Sequence, residues 1–180
     1  MGVGSGIKSI PLQIADSLAF IVEPKIDHRG SLSRIWDKDI HSNFSDLKQI
    51  SSVINPISGT LRGLHYQSTE FSENKVIQCI SGKAFDVFVD MRKNSPTYRT
   101  HIELEIGPEC AYQGIFIPSG CAHGYLTLEP NTNFIYFMDQ IYSPPHTEGL
   151  LWNDSVLAIN WPNNPVLISE QDLQWPKLEI

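Results

Sequence analysis

Hydrophobic and polar residues alternate through the middle of the chain. In Ala84 to Asp90, Phe85, Val87 and Val89 fall on one side and Asp86, Phe88 and Asp90 on the other, the two-residue period of a β-strand. His101 to Ile106 repeats it, with Ile102, Leu104 and Ile106 set against His101, Glu103 and Glu105, as in a sheet with one face in water. VIQCI (76–80) followed by Ser81-Gly82-Lys83 predicts the first arm of a hairpin whose second arm is AFDVFVD. QGIFIP, GYLTL and NFIYFMD add further strands, punctuated by Pro118-Ser119-Gly120 and Glu129-Pro130-Asn131. Short strands at this spacing predict an antiparallel sandwich or barrel, with Phe85, Val87 and Val89 in its core. Helical signals are confined to the flanks. Asp37 to Leu47 predicts a turn or two, and Ser169 followed by Glu170 and Asp172 has the Ser and the acids that favour a helix start.

Length and composition fit one such domain. The chain has 180 residues, 41% of them hydrophobic, with 12 Gly and 12 Pro scattered along it, enough to bury a core and make many turns. Thirteen Lys and Arg against 20 Asp and Glu leave a net charge of −7, which argues against nucleic acid or an anionic membrane as a partner. No apolar run approaches the ~20 residues of a membrane span. The first residues lack the basic and then apolar order of a secretory signal. Three cysteines without CxxC spacing indicate neither a disulfide framework nor a zinc site, and suit a reducing cytoplasm.

Three segments place titratable residues in otherwise apolar strands. In Arg62-Gly63-Leu64-His65-Tyr66-Gln67, followed by Lys75, an Arg and a His three apart can bring an anion clamp and a base into one cavity. In Pro118-Ser119-Gly120-Cys121-Ala122-His123, the P-x-G-x-x-H spacing resembles the second motif of the cupins, where many family members use the His as a metal ligand. The H-x-H pair that usually accompanies it is missing, because His65 is followed by Tyr66 and Gln67. Tyr136 shares parity with Phe134 and Met138, which reads first as an aromatic core face.

Taken in order, RGLHYQ (62–67), NKVIQC (74–79), GKAFDVFVDMRKNSPTY (82–98), IPSGCAHGYLTL (117–128), NFIYFMDQIYSP (133–144), EGLLWND (148–154), INWP (159–162) and LISEQD (167–172) resemble the dTDP-4-dehydrorhamnose 3,5-epimerases. The resemblance implies a cupin-type antiparallel β jelly roll. It also implies a homodimer whose N-terminal segment crosses to the partner. The implied reaction is epimerisation at C3, C5 or both of a nucleotide-linked 4-keto-6-deoxyhexose, in deoxysugar biosynthesis for O-antigen or another polysaccharide, without metal or cofactor. By motif position, His65 corresponds to the base, Asp172 to the carboxylate that orients it, Lys75 to the cation near the C4 oxygen and Tyr136 to the acid. His123, Tyr142 and Gln49 match substrate-binding positions, and Arg62 and Arg29 the arginines that hold the pyrophosphate. Arg34 and Ser51 depart from the family pattern in the region that receives the nucleotide. The nucleotide is therefore open between dTDP, CDP and GDP. A sugar 3,4-ketoisomerase, a metal-dependent cupin oxygenase and a non-catalytic sugar-nucleotide binding module are the competing readings.

Overall fold

The alternating stretches form strands that are divided between two antiparallel sheets in the computed structural model, which describes residues 6–38, 44 and 46–178. The larger sheet holds, in spatial order, β1 (Ile7–Pro11), β2 (Leu18–Val22), β10 (Gly114–Ile117), β7 (Lys75–Ser81), β12 (Thr132–Met138) and β5 (Gln49–Asn55). The smaller holds β13 (Thr147–Gly149), β6 (Leu61–Gln67), β11 (Cys121–Thr127), β8 (Ala84–Asp90) and β9 (His101–Ile106). A separate exposed hairpin joins β3 (Lys25–Asp27) to β4 (Gly30–Leu32). The two sheets fit the expected cupin-type jelly roll. Between them lie Ile77, Ile115, Ile117 and Phe134 from one side and Phe88, Ile106 and Tyr125 from the other.

One expected pairing is overturned. The stretch before Ser81-Gly82-Lys83 and the stretch after it are not the arms of a hairpin, because β7 pairs with β10 and β12 while β8 pairs with β11 and β9. Gly82 makes the crossing with φ of 72°, and a Cβ there would sit 2.4 Å from Thr132 Oγ1. That combination suits glycine alone. Val87 and Val89 are buried, as expected of core residues, with Phe85 packed against the same cluster. They are covered, but on the outer face of the smaller sheet, beneath Leu150, Leu157 and Trp161. The opposite face of β8 is the one directed between the sheets, so Asp86, Phe88 and Asp90 are fully buried.

Buried charges on that face need partners. Asp90 accepts from Arg92 Nε at 2.8 Å and Nη2 at 2.9 Å, from Ser95 Oγ at 2.5 Å and from Thr97 Oγ1 at 2.7 Å. This hub closes the connection from β8 to β9. Burial opposes its ionisation, but the guanidinium and the two hydroxyls outweigh that cost and hold its carboxyl below the usual range.

Ser169 does start a helix, the single turn α1 (Glu170–Leu173), and its side chain accepts from Asp172 N at 3.1 Å. The other expected helix, over 37–47, falls largely on residues outside the described ones, and Asp37, Lys38, Asp46 and Leu47 are not helical. On the outer face of the larger sheet, Ile35, Trp36, Phe44 and Leu47 cover Phe20, Val76, Phe116 and Phe137. Ile50, Ile54 and Ile80 on the same face stay exposed. No described helix is long and apolar enough to cross a membrane.

Candidate active site

A cavity of about 680 Å³ opens between the sheets, large enough for a small-molecule ligand. The larger sheet contributes Gln49 and Ser51 from β5, Lys75 from β7 and Tyr136 from β12, and the smaller contributes Arg62 and His65 from β6 and His123 and Tyr125 from β11. Tyr142 and Asp172 complete the wall from a loop and from α1. His65 and His123 face each other in register across β6 and β11. The two strands can approach this closely because Gly63 meets Gly124: a Cβ on Gly63, at φ of 121°, would lie 2.5 Å from Gly124 Cα.

His65 and Asp172 form a dyad. Nε2 of the imidazole lies 2.5 Å from Asp172 Oδ1. An ionised carboxylate only accepts, so this contact puts the proton on Nε2 and leaves Nδ1 with a free lone pair. For Asp172, burial opposes the charge, yet the hydrogen bond and charge of His65, followed by Trp175 and Ser169, win and lower its pKa. The helix turn that begins at Ser169 is thus what delivers the carboxylate to the imidazole.

Across the cavity, burial raises the Tyr136 phenol well above its ordinary value, and the adjacent Tyr125 and Asp86 add to the shift. Its proton is therefore in place at neutral pH. Lys75 sits 2.6 Å from Glu73 with both side chains largely buried, and Gln67 Nε2 donates to the same carboxylate at 2.7 Å. An ammonium held this way is a fixed donor at the cavity wall. Gln49 Oε1 accepts from Tyr142 N at 3.0 Å and joins that loop to β5. His123 Nε2 contacts Asp86 Oδ2 at 2.9 Å. Burial pushes the Asp86 carboxyl up, and the charge and hydrogen bond of His123 oppose it.

Of the nine side chains singled out in the sequence, eight line this one cavity and Arg29 does not. Arg29 occupies the tip of the β3–β4 hairpin, exposed and paired with Asp27 at 2.6 Å. Arg34 is likewise outside, paired with Asp37 at 2.9 Å. Among the described residues, no group of three or more His, Cys, Asp or Glu side chains is arranged to hold a metal ion.

The family model described as dTDP-4-dehydrorhamnose 3,5-epimerase matches residues 11–179. The chain belongs to the dTDP-4-dehydrorhamnose 3,5-epimerase family. It is 37% identical to the dTDP-4-dehydrorhamnose 3,5-epimerase of Sinorhizobium fredii over 84% of this chain and 80% of that one. A crystal structure of dTDP-4-dehydrorhamnose 3,5-epimerase from Bacillus anthracis, with TDP and PPi bound, superposes with a TM-score of 0.86 at 33% identity, covering 96% of this chain and 99% of that one. A 3'-monoepimerase from Streptomyces bikiniensis in complex with dTDP-quinovose superposes at 0.82 with 26% identity, covering 93% and 86%. This epimerase is thus an isomerase, and the ketoisomerase, oxygenase and binding-module readings give way.

Four contributors to the epimerase site escaped the sequence reading: Asn55, Glu73, Tyr125 and Trp175. Trp175 Nε1 donates to Asp172 Oδ1 at 3.2 Å, the same oxygen that meets His65. Its ring lies against Gly149, where a Cβ would come within 2.3 Å. An acid two residues before Lys75 was the one available signal for Glu73. The others read in sequence as core or loop.

Proposed function

We propose that this single-domain epimerase inverts C3, C5 or both of a nucleotide-linked 4-keto-6-deoxyhexose with His65 as base and Tyr136 as acid. The observation that carries the assignment is their placement on opposite sheets across one cavity. Nδ1 of His65 takes the proton alpha to the ketone, and the electrons of that C–H bond move to the C4 oxygen as an enolate. Lys75 stabilises the oxygen, Asp172 stabilises the imidazolium, and Tyr136 returns a proton from the other face. The ketone itself acidifies the C–H bond, so the step draws on no redox partner. His123 and Tyr142 contact the sugar, while Gln49 and Arg62 meet the nucleotide and its pyrophosphate.

The named relatives favour a dTDP sugar, and Arg34 and Ser51 make CDP and GDP sugars the comparisons to run. The test is incubation in D₂O with 4-keto-6-deoxyglucose linked to each nucleotide, following C3 and C5 by NMR. Deuterium is expected at one or both carbons with the dTDP substrate. Absence of exchange with every nucleotide overturns the reading.

We also propose a cytoplasmic homodimer. The exposed Ile50, Ile54 and Ile80 leave an apolar stretch on the larger sheet, and the separate β3–β4 hairpin exposes Ile26 at 77% and Leu32 at 71%. A second copy covering that face would exclude water from these side chains and let the hairpin bring Arg29 to the partner's pyrophosphate. Sedimentation should give twice the chain mass, and replacing Ile50 and Ile54 together by Glu should give the monomer. A monomer for the unaltered chain refutes this arrangement.

A further inference from the structure

Gln67 ends β6, two residues after His65; it lines the cavity and is 4% exposed. Its amide is bonded throughout to protein. Ser143 N donates to Oε1 at 2.6 Å, while Nε2 donates to Glu73 Oε2 at 2.7 Å and to Phe71 O at 2.8 Å, with Ile141 O 3.4 Å from the same nitrogen. These partners leave one orientation of the amide, because a backbone N–H only gives a hydrogen and a carboxylate or carbonyl only takes one. Both amide hydrogens are thereby used, and neither is left for a ligand.

Each end of the amide leads to a side chain that the proposed reaction uses. Through Glu73 it reaches Lys75, whose Nζ sits 2.6 Å from Glu73 Oε1. Through Ile141 O and Ser143 N it grips the backbone on both sides of Tyr142, a cavity residue that belongs to no strand. The Tyr142 loop is tied to Phe71 a second time, since Ser143 Oγ lies 2.7 Å from His146 Nδ1 and the His146 ring stacks on that of Phe71 at 3.7 Å between centroids.

We infer that Gln67 is a positioning residue, a clasp that holds the Lys75 ammonium and the Tyr142 loop at one fixed separation. The inference rests on the reaction proposed above, with Lys75 at the C4 oxygen and Tyr142 on the sugar. Lysine carries its charge on a flexible four-carbon stem, and a misplacement of about 1 Å at a reacting centre can cost about 10²-fold in rate. Glu73 restrains that stem, and Gln67 restrains Glu73. A loop already held in its binding conformation spares the ligand the cost of ordering it. The clasp therefore acts on the two kinetic parameters by separate routes. It acts on kcat through Lys75, because the enolate charge develops only in the transition state, and on KM through Tyr142.

Gln67→Met keeps the length of the side chain and removes its polar atoms. With dTDP-4-keto-6-deoxyglucose in D₂O, initial exchange rates measured against substrate concentration should give kcat about tenfold lower and KM about fivefold higher. In a Lys75→Ala background the effect of Gln67→Met on kcat should vanish while its effect on KM persists, the non-additivity of two residues that act through one contact. Unaltered kcat or unaltered KM overturns the inference, whatever happens to the melting temperature, because a clasp requires both to move. So does a loss of kcat that multiplies in full with that of Lys75→Ala. If Lys75→Ala alone exchanges at the original rate, the reading of Lys75 fails and takes the inference with it, a result distinct from a Gln67 variant that behaves as the unaltered enzyme. Should Gln67→Met not fold, Gln67→Asn keeps the amide but is one methylene too short to span Glu73 and the loop together. A fall in kcat or a rise in KM of about three- to tenfold is then expected, and no change in either overturns the inference.

Discussion

His65→Ala is expected to slow exchange at C3 and C5 by about 10²–10⁴-fold, the usual contribution of a positioned base. The expectation follows from the dyad. Asp172, whose carboxyl is held below its ordinary value, occupies Nε2, so the lone pair offered to a substrate C–H is on Nδ1. His123 does not substitute, because Asp86 beside it is pushed toward its neutral form by burial. The fold should survive the change. The His65 side chain is 37% exposed, and without it the Asp172 carboxylate still accepts from Trp175 Nε1 at 3.2 Å and from Gly63 N at 3.4 Å. A variant that exchanges deuterium at the original rate, with an unchanged melting temperature, would remove His65 from the role of base.

The largest effect on stability is expected at Asp90, remote from the chemistry. Asp90→Ala leaves the Arg92 guanidinium and two hydroxyls around an empty position, and breaking a buried charged network of this kind costs about 3 kcal/mol. For a chain of this size that corresponds to a melting temperature about 6–12 °C lower. The sign with pH follows from the same contacts. The Asp90 and Asp172 carboxyls are both held below their ordinary values, so the unfolded chain takes up their protons first as pH falls. The stability they supply is fully present above about pH 4, the unfolded carboxylate range, and is lost as pH drops below it through the folded values. Thermal melts from pH 7 to pH 3 should show a steep acid-side decline that Asp90→Ala flattens. A variant with the same melting temperature and the same decline would show that Asp90 is not the anchor its contacts describe.

Alternation located most strands, because a half-buried strand writes its two faces into the sequence. Which strand lies beside which was not legible. The turn at Gly82 has the same residues whether it folds a chain back on itself or carries it to another sheet, and the pairing is decided by Thr132 and by β10 and β12 far along the chain. Asp86 and Asp90 were misleading in a similar way, since charged residues in an alternating strand ordinarily mark the face in water. Their partners, His123, Arg92, Ser95 and Thr97, make burial tolerable, and only the fold brings His123 close. The catalytic candidates were visible chiefly through eight ordered motifs. Asp172 is 107 residues from His65, and no local spacing links them. Tyr125 and Asn55 sit in strands where an aromatic or an amide reads as packing, so their shared hydrogen bond had no signal in the sequence.

The cavity draws on two kinds of scaffold. His65, Lys75, His123, Tyr125 and Tyr136 stand on β6, β7, β11 and β12, each paired on both sides. Gln49 and Ser51 stand on β5, which is paired on one side only, and Arg29 stands on a hairpin that joins neither sheet. A residue changed on an interior strand disturbs two ladders, whereas one changed on β5 or the hairpin disturbs one or none. Substitutions at Gln49, Ser51 and Arg29, three of the positions proposed to meet the nucleotide, are therefore expected to disturb the fold less than substitutions at the positions proposed for proton transfer. Under the proposed assignment, the choice of nucleotide can then be altered at the edge of the fold without touching the strands that hold His65 and Tyr136.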